Sequence, residues 1–151
     1  MRWLAFLFAF AASAAAAETI SGTVITVIDG DTITVSDAAS KHYRVRLAGV
    51  DAPEAKQAFG LESARSLAAL CYRKAAKVEW MEKKRRVHFG QVTCEEKDAA
   101  AEQVRHGMAW VSPRQMTAGS ALPELEAYAR LRKVGLWADE KPVPPWEWRK
   151  E

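Results

Sequence analysis

Residues 19–47 read TISGTVITVIDGDTITVSDAASKHYRVRL, and the fold class follows from how this stretch alternates. Thr, Ile and Val dominate residues 19–28, and Asp29-Gly30 then marks a tight hairpin turn. Ile33 and Val35 alternate with polar neighbours, and residues 37–40 make a second turn. Tyr43, Val45 and Leu47 alternate with Arg44 and Arg46. If the apolar set faces a core, both arginines stand on the opposite face. The stretch predicts a three-stranded meander.

Working outward, Asp51-Ala52-Pro53-Glu54 has the form of a capping box with proline in the first turn, which predicts a helix opening at Asp51. Leu61, Ala64, Leu67, Ala68 and Cys71 recur on one face of that helix. Residues 78–81 and 87–94 read as a second strand pair, separated by a basic run. Residues 99–106 suit a short helix with Asp98 as cap and Gly107 as stop, and residues 108–111 a short extended piece. Leu125, Tyr128, Leu131 and Val134 predict a last helix, with Pro123 in its first turn and a Schellman-like end at Gly135-Leu136. The tail, residues 141–151, carries Pro142, Pro144 and Pro145 and is expected to be non-helical, packing through Trp146 and Trp148. There is no internal repeat. The order βββ-α-ββ-α-α predicts an α+β protein, mainly a β barrel of Greek-key OB type, with about three flanking helices.

The chain has 151 residues and a formal net charge of +3. Residues 1–17 carry Arg2, an apolar run from Trp3 to Phe10 and Ala15-Ala16-Ala17 before Glu18, the pattern of a signal peptide. The apolar run is short for a membrane span. Residues 18–151 are expected to form one domain, with 141–151 as a Pro/Trp-rich tail. A periplasmic or secreted protein is the expectation, with no stable membrane association after cleavage. Between positions 73 and 86, seven basic side chains face only Glu79 and Glu82, enough to steer a polyanion or to blunt a strand edge. Cys71 and Cys94 suit either one disulfide or two small buried side chains, and export favours the disulfide. Neither has metal-ligand spacing to His42, His88 or His106, which argues against zinc.

Three carboxylates, Asp31, Asp51 and Glu54, interleave with Arg46 and precede the run ending Arg85-Arg86. Such carboxylates suit a hard divalent cation, and such arginines a phosphodiester. Asp29 reads as a turn residue. The segments Val27-Ile28-Asp29-Gly30-Asp31-Thr32, residues 45–54, residues 105–111 and Val134-Gly135-Leu136-Trp137 occur in this order. From about Ile20 to Trp137 the chain resembles the thermonuclease (staphylococcal-nuclease-like) family.

That resemblance implies a five-stranded OB-type barrel, expected here as a monomer, and Ca2+-dependent cleavage of DNA and RNA with single strands preferred, leaving 3′-phosphates. It implies Asp31 and Asp51 as calcium carboxylates, the Ala52 carbonyl as a further ligand, and Glu54 as general base or orienter of water. Arg46 and an arginine of the basic run would grip the phosphate. The family's Tyr-Gly-Arg turn is Lys84-Arg85-Arg86 here. Arg86 keeps the turn-end position if residues 87–90 carry one extra residue; counted back from Gly90, the position falls on Val87, and Arg85 is the reserve. The family's stacking tyrosines are missing from Ser112-Pro113-Arg114-Gln115, so base stacking is expected to be either weakened or moved to Trp110. Lys83, Lys84 and Arg85 supply the remaining attraction for nucleic acid. The alternative is a non-catalytic OB-type nucleic-acid-binding module.

Overall fold

The computed structural model describes residues 18–150, so the expected signal segment lies outside the described residues. Its strands are β1 (Thr19–Val27), β2 (Thr32–Ser36), β3 (His42–Leu47) and β4 (Val50–Asp51). After the first helix come β5 (Ala75–Lys84), β6 (Val87–Cys94), β7 (Lys97–Asp98) and β8 (Trp110–Val111). The meander forms as the alternation requires: Val24, Ile33, Val35, Val45 and Leu47 all face inward and are fully buried. β5 pairs antiparallel with β1 and β6, and β6 runs parallel to β3. These pairings close β1, β2, β3, β6 and β5 into a barrel, the expected OB-type α+β fold. Register shifts at Val24/Thr26 and Trp80/Glu82 help the long strands bend around it.

The helices are α1 (Gly60–Cys71), α2 (Ala99–Arg105), α3 (Leu122–Leu131) and α4 (Pro145–Trp148). α1 does not open at Asp51. Asp51 belongs to β4, where its carboxylate meets arginines instead of capping a helix, and residues 52–59 fold back in turns. The helix begins at Gly60, where only glycine fits because a Cβ would collide with the Glu54 carbonyl. α2 matches expectation, with Asp98 Oδ1 accepting from the Ala101 amide at 2.9 Å. α3 buries Ala129 and half-buries Leu122 and Leu125, whereas Tyr128 and Leu131 are 54% and 82% exposed. It also stops earlier than expected: Lys133 adopts φ 51° and the Val134 amide reaches back to the Ala129 carbonyl at 3.2 Å, closing a Schellman motif before Gly135.

The tail is helical for one turn, contrary to expectation. Pro144 precedes α4 and Pro145 begins it, where proline costs no hydrogen bond. Trp146 packs onto a second core of Trp110, Ala129, Leu136 and Trp137, beside the barrel core. Cys71 and Cys94 are joined in a disulfide with a Cα separation of 5.3 Å, tying the end of α1 to the end of β6. No helix among the described residues is long and apolar enough to cross a membrane.

Candidate active site

The site starts at the β1–β2 turn. Asp29 Oδ1 accepts from the Asp31 amide at 3.0 Å, a local turn that points the next carboxylate inward. Gly30 is packed so closely that a Cβ would collide with Ser63 Oγ. Behind it, the fully buried Gln103 donates from Nε2 to the carbonyls of Gly30 at 2.8 Å and Ser63 at 3.0 Å. Ser63 Oγ donates to the Met108 carbonyl at 2.6 Å. Two helices therefore clamp one turn.

Asp31, 2% exposed, accepts from the Thr32 hydroxyl and the Ala52 amide, each at 2.8 Å. Arg46 Nη2 then bridges Asp31 Oδ2 at 3.0 Å and Asp51 Oδ1 at 2.8 Å. Arg46 reaches both because it is the outward residue of β3 opposite Thr32, while β4 pairs Asp51 with Trp110 of β8. Burial pushes the Asp31 carboxyl up to about 7, against the opposing pull of Arg46, with Asp29 adding to the rise. Burial also works against the charge on Arg46, but Asp31 and Asp51 outweigh it and raise its pKa.

The tail supplies a second guanidinium. Arg149 Nη2 donates to Asp51 Oδ2 at 2.6 Å, and its Nη1 donates to Asp51 Oδ1 at 3.2 Å and Glu54 Oε1 at 2.6 Å. The bonds to Asp51 hold the Arg149 pKa above its ordinary value, with Glu54 contributing further.

The structure thus brings together Asp31, Arg46, Asp51, Ala52 and Glu54. It places Arg85 and Arg86 elsewhere. Val87 pairs with Arg44 and Phe89 with Arg46, so apolar side chains hold the β6 positions beside the site arginine. Arg85 and Arg86 instead line a surface hollow with Lys41, His42, Tyr43, Lys83 and His88. Neither meets a site carboxylate among the described residues. Lys83, Lys84 and Arg85 are exposed on the β5–β6 hairpin. Trp110 requires a correction: it is 3% exposed and packs edge-on against Trp137 at 5.4 Å, so its face is closed to a base.

Gln103, Ser63 and Arg149 escaped the sequence reading. Gln103 carried one signal, a polar residue at helical spacing among the buried Ala99, Ala100 and Val104. Arg149 carried none, being a lone arginine after a proline-rich tail.

Among the described residues, no three His, Cys, Asp or Glu side chains converge as a preformed metal cage. The donor set still fits a hard cation. Asp31 and Asp51 present hard oxygens to one shared cationic nitrogen, so the paired oxygens lie within about 6 Å of each other. A cation there would also favour the charged form of the buried Asp31.

The family model described as "Staphylococcal nuclease homologue" matches residues 44–139. The chain belongs to the staphylococcal nuclease homologue family. Among its relatives is an "Uncharacterized endonuclease" of Escherichia coli O157:H7, 41% identical over 132 residues, covering 86% of this chain and 85% of that protein. A second "Uncharacterized endonuclease", from Haemophilus influenzae, is 34% identical, covering 92% and 78% respectively. A "Micrococcal nuclease" of Shigella flexneri is also 34% identical, covering 85% of this chain and 80% of its own. Within this member of the staphylococcal nuclease homologue family the match spans Arg46, Asp51, Glu54 and the basic hairpin, while Asp31 and Arg149 lie outside the matched residues.

Proposed function

We propose that this protein is an exported, monomeric, calcium-dependent nuclease that hydrolyses phosphodiester bonds of DNA and RNA, prefers single strands and leaves 3′-phosphates. One observation carries the reading: Arg46 holds Asp31 and Asp51 together on the barrel wall, with Glu54 joined to Asp51 through Arg149. The relatives named as nucleases support it, and residues 1–17 support export.

Asp31 and Asp51, with the Ala52 carbonyl and waters, would hold the calcium. When bound, calcium polarises a phosphate oxygen and offsets the negative charge that develops there. Arg46 uses Nη2 on the carboxylates, and its other donors are available for two phosphate oxygens. Glu54, with its side chain 42% exposed, would accept a proton from water as that water attacks phosphorus. The P–O5′ bond would then break, the 5′ oxygen leaving as a hydroxyl with a proton taken from solvent, and the phosphate would stay on the 3′ side. The exposed Lys83, Lys84 and Arg85 draw the polyanion in by long-range attraction.

Digestion of single-stranded DNA by the pure protein tests this. Calcium should support cleavage, magnesium should support it poorly because it demands a tighter octahedral site, and chelator should abolish it. Equal rates in calcium and chelator would reject the reading. Binding without cleavage in both would establish the non-catalytic module instead.

A further inference from the structure

We propose that Arg149, delivered by the C-terminal tail, is the second phosphate-binding arginine of the active site. This rests on the nuclease reading above and assigns a residue to the same site.

The argument starts from position. Arg46 and Arg149 donate to the same oxygen, Asp51 Oδ1, at 2.8 Å and 3.2 Å, so the two donating nitrogens stand within about 6 Å of each other. Like charges that close need anions around them. Asp51 and Glu54 serve that purpose here, and a phosphodiester would do so during turnover. Arg149 Nη1 holds Glu54 and its Nη2 holds Asp51; a cation that took Asp51 would leave the Nη1 contact to Glu54 intact and free Nη2 to donate to a phosphate oxygen. A planar fork at that point can pair with an equatorial oxygen as charge develops on it.

The tail is also built to hold Arg149 in place. Pro145 is buried, Trp146 packs on the second core, and Gln57 Nε2 donates to the Val143 carbonyl. An exposed ion pair at a loose terminus would contribute little. The segment that carries this guanidinium is held at Val143, Pro145 and Trp146, and the guanidinium reaches carboxylates about a hundred residues earlier in the chain. The position beside Arg46 on β6 is apolar, with Phe89 as partner, and Arg85 and Arg86 line a different hollow. Among the described residues, Arg46 and Arg149 are the arginines that touch the site carboxylates.

The test measures steady-state cleavage of single-stranded DNA by full-length protein with saturating calcium, alongside calcium affinity by calorimetry. Arg149→Ala should lower kcat about a hundredfold or more, with KM changed only a few-fold because the basic hairpin remains. Arg149→Lys should restore little, since an ammonium lacks the fork. Millimolar guanidinium should partly rescue Arg149→Ala and leave the wild type unchanged, a response that a purely structural residue would not give. Lys150→Ala should retain wild-type kcat. A wild type that cleaves alongside an equally active or faster Arg149→Ala with tighter calcium binding would overturn the proposal, making Arg149 a plug on Asp51 while the nuclease reading stands. A wild type inert in calcium would remove both.

Discussion

Gln103 has no contact with the reacting groups, yet it fixes where they stand. Its amide spans from α2 to the carbonyls of Gly30 and Ser63, and both its neighbours along the helix face are apolar. Replacing it with leucine leaves two buried carbonyl acceptors without that donor, at a cost of about 1–3 kcal/mol. Gln103→Leu should therefore lower the unfolding free energy by that amount in urea titration. It should also weaken calcium binding, because Asp31 depends on the clamped turn. Arg86 offers the opposite test. Exposed at the hairpin end, it should contribute attraction without chemistry, so Arg86→Ala should flatten the salt dependence of KM and spare kcat. If Arg86→Ala instead abolishes turnover, the hairpin must close onto the carboxylates during catalysis.

At the scale of elements, β6 carries two separate stabilising devices. The disulfide closes a loop of 23 residues, which in the chain-entropy picture is worth about 3 kcal/mol. Reduction should lower Tm by on the order of 10 °C, measured by calorimetry with and without reductant. Two residues into the strand, His88 is buried edge-on against Tyr43 and Trp80. Burial lowers its pKa, and Lys83 and Lys41 lower it further against the weaker opposing effect of Glu18. The unfolded chain therefore takes up the His88 proton first as pH falls. The stability is present above the ordinary histidine value and declines below about pH 6.5. His88→Phe should flatten that acid limb in denaturant titrations across pH 5–8.

The barrel was legible because closed β architecture repeats a period of two, and Ile33, Val35, Val45 and Leu47 keep it without interruption. The site was legible in the parts that lie near one another in sequence. Asp31, Arg46, Asp51 and Glu54 fall within 24 residues and meet because β2, β3 and β4 are neighbours or consecutive. The parts that depend on distant packing left little trace. The capping-box pattern at Asp51 misled because pairing with Trp110 of β8 holds Asp51 in a strand, and the helix begins only at Gly60. Trp110 looked available for stacking because burial in the second core depends on Trp137 and on a tail placed by tertiary contacts. That dependence makes a whole-molecule prediction. Deleting residues 141–150 should remove Trp146 from the second core and Arg149 from Asp51 together. Cleavage should fall at least as far as in Arg149→Ala, with a lower Tm, while far-ultraviolet circular dichroism still reports the barrel.

The β4–β8 ladder is only two residues long, yet it carries Asp51. A pair that short opens locally far more easily than the barrel unfolds. The Ala52 amide, bonded to Asp31 at 2.8 Å, and the Ser112 amide, bonded to the Gly49 carbonyl at 2.9 Å, flank that ladder. Their hydrogens should exchange with deuterated solvent quickly in chelator. A cation that engages Asp51 must hold the ladder shut, so both should slow together in calcium by a factor that rises with calcium concentration. The amides of β1 and β2 should exchange at unchanged rates wherever local opening governs them. Loading could then be followed one peptide hydrogen at a time, without any substrate present.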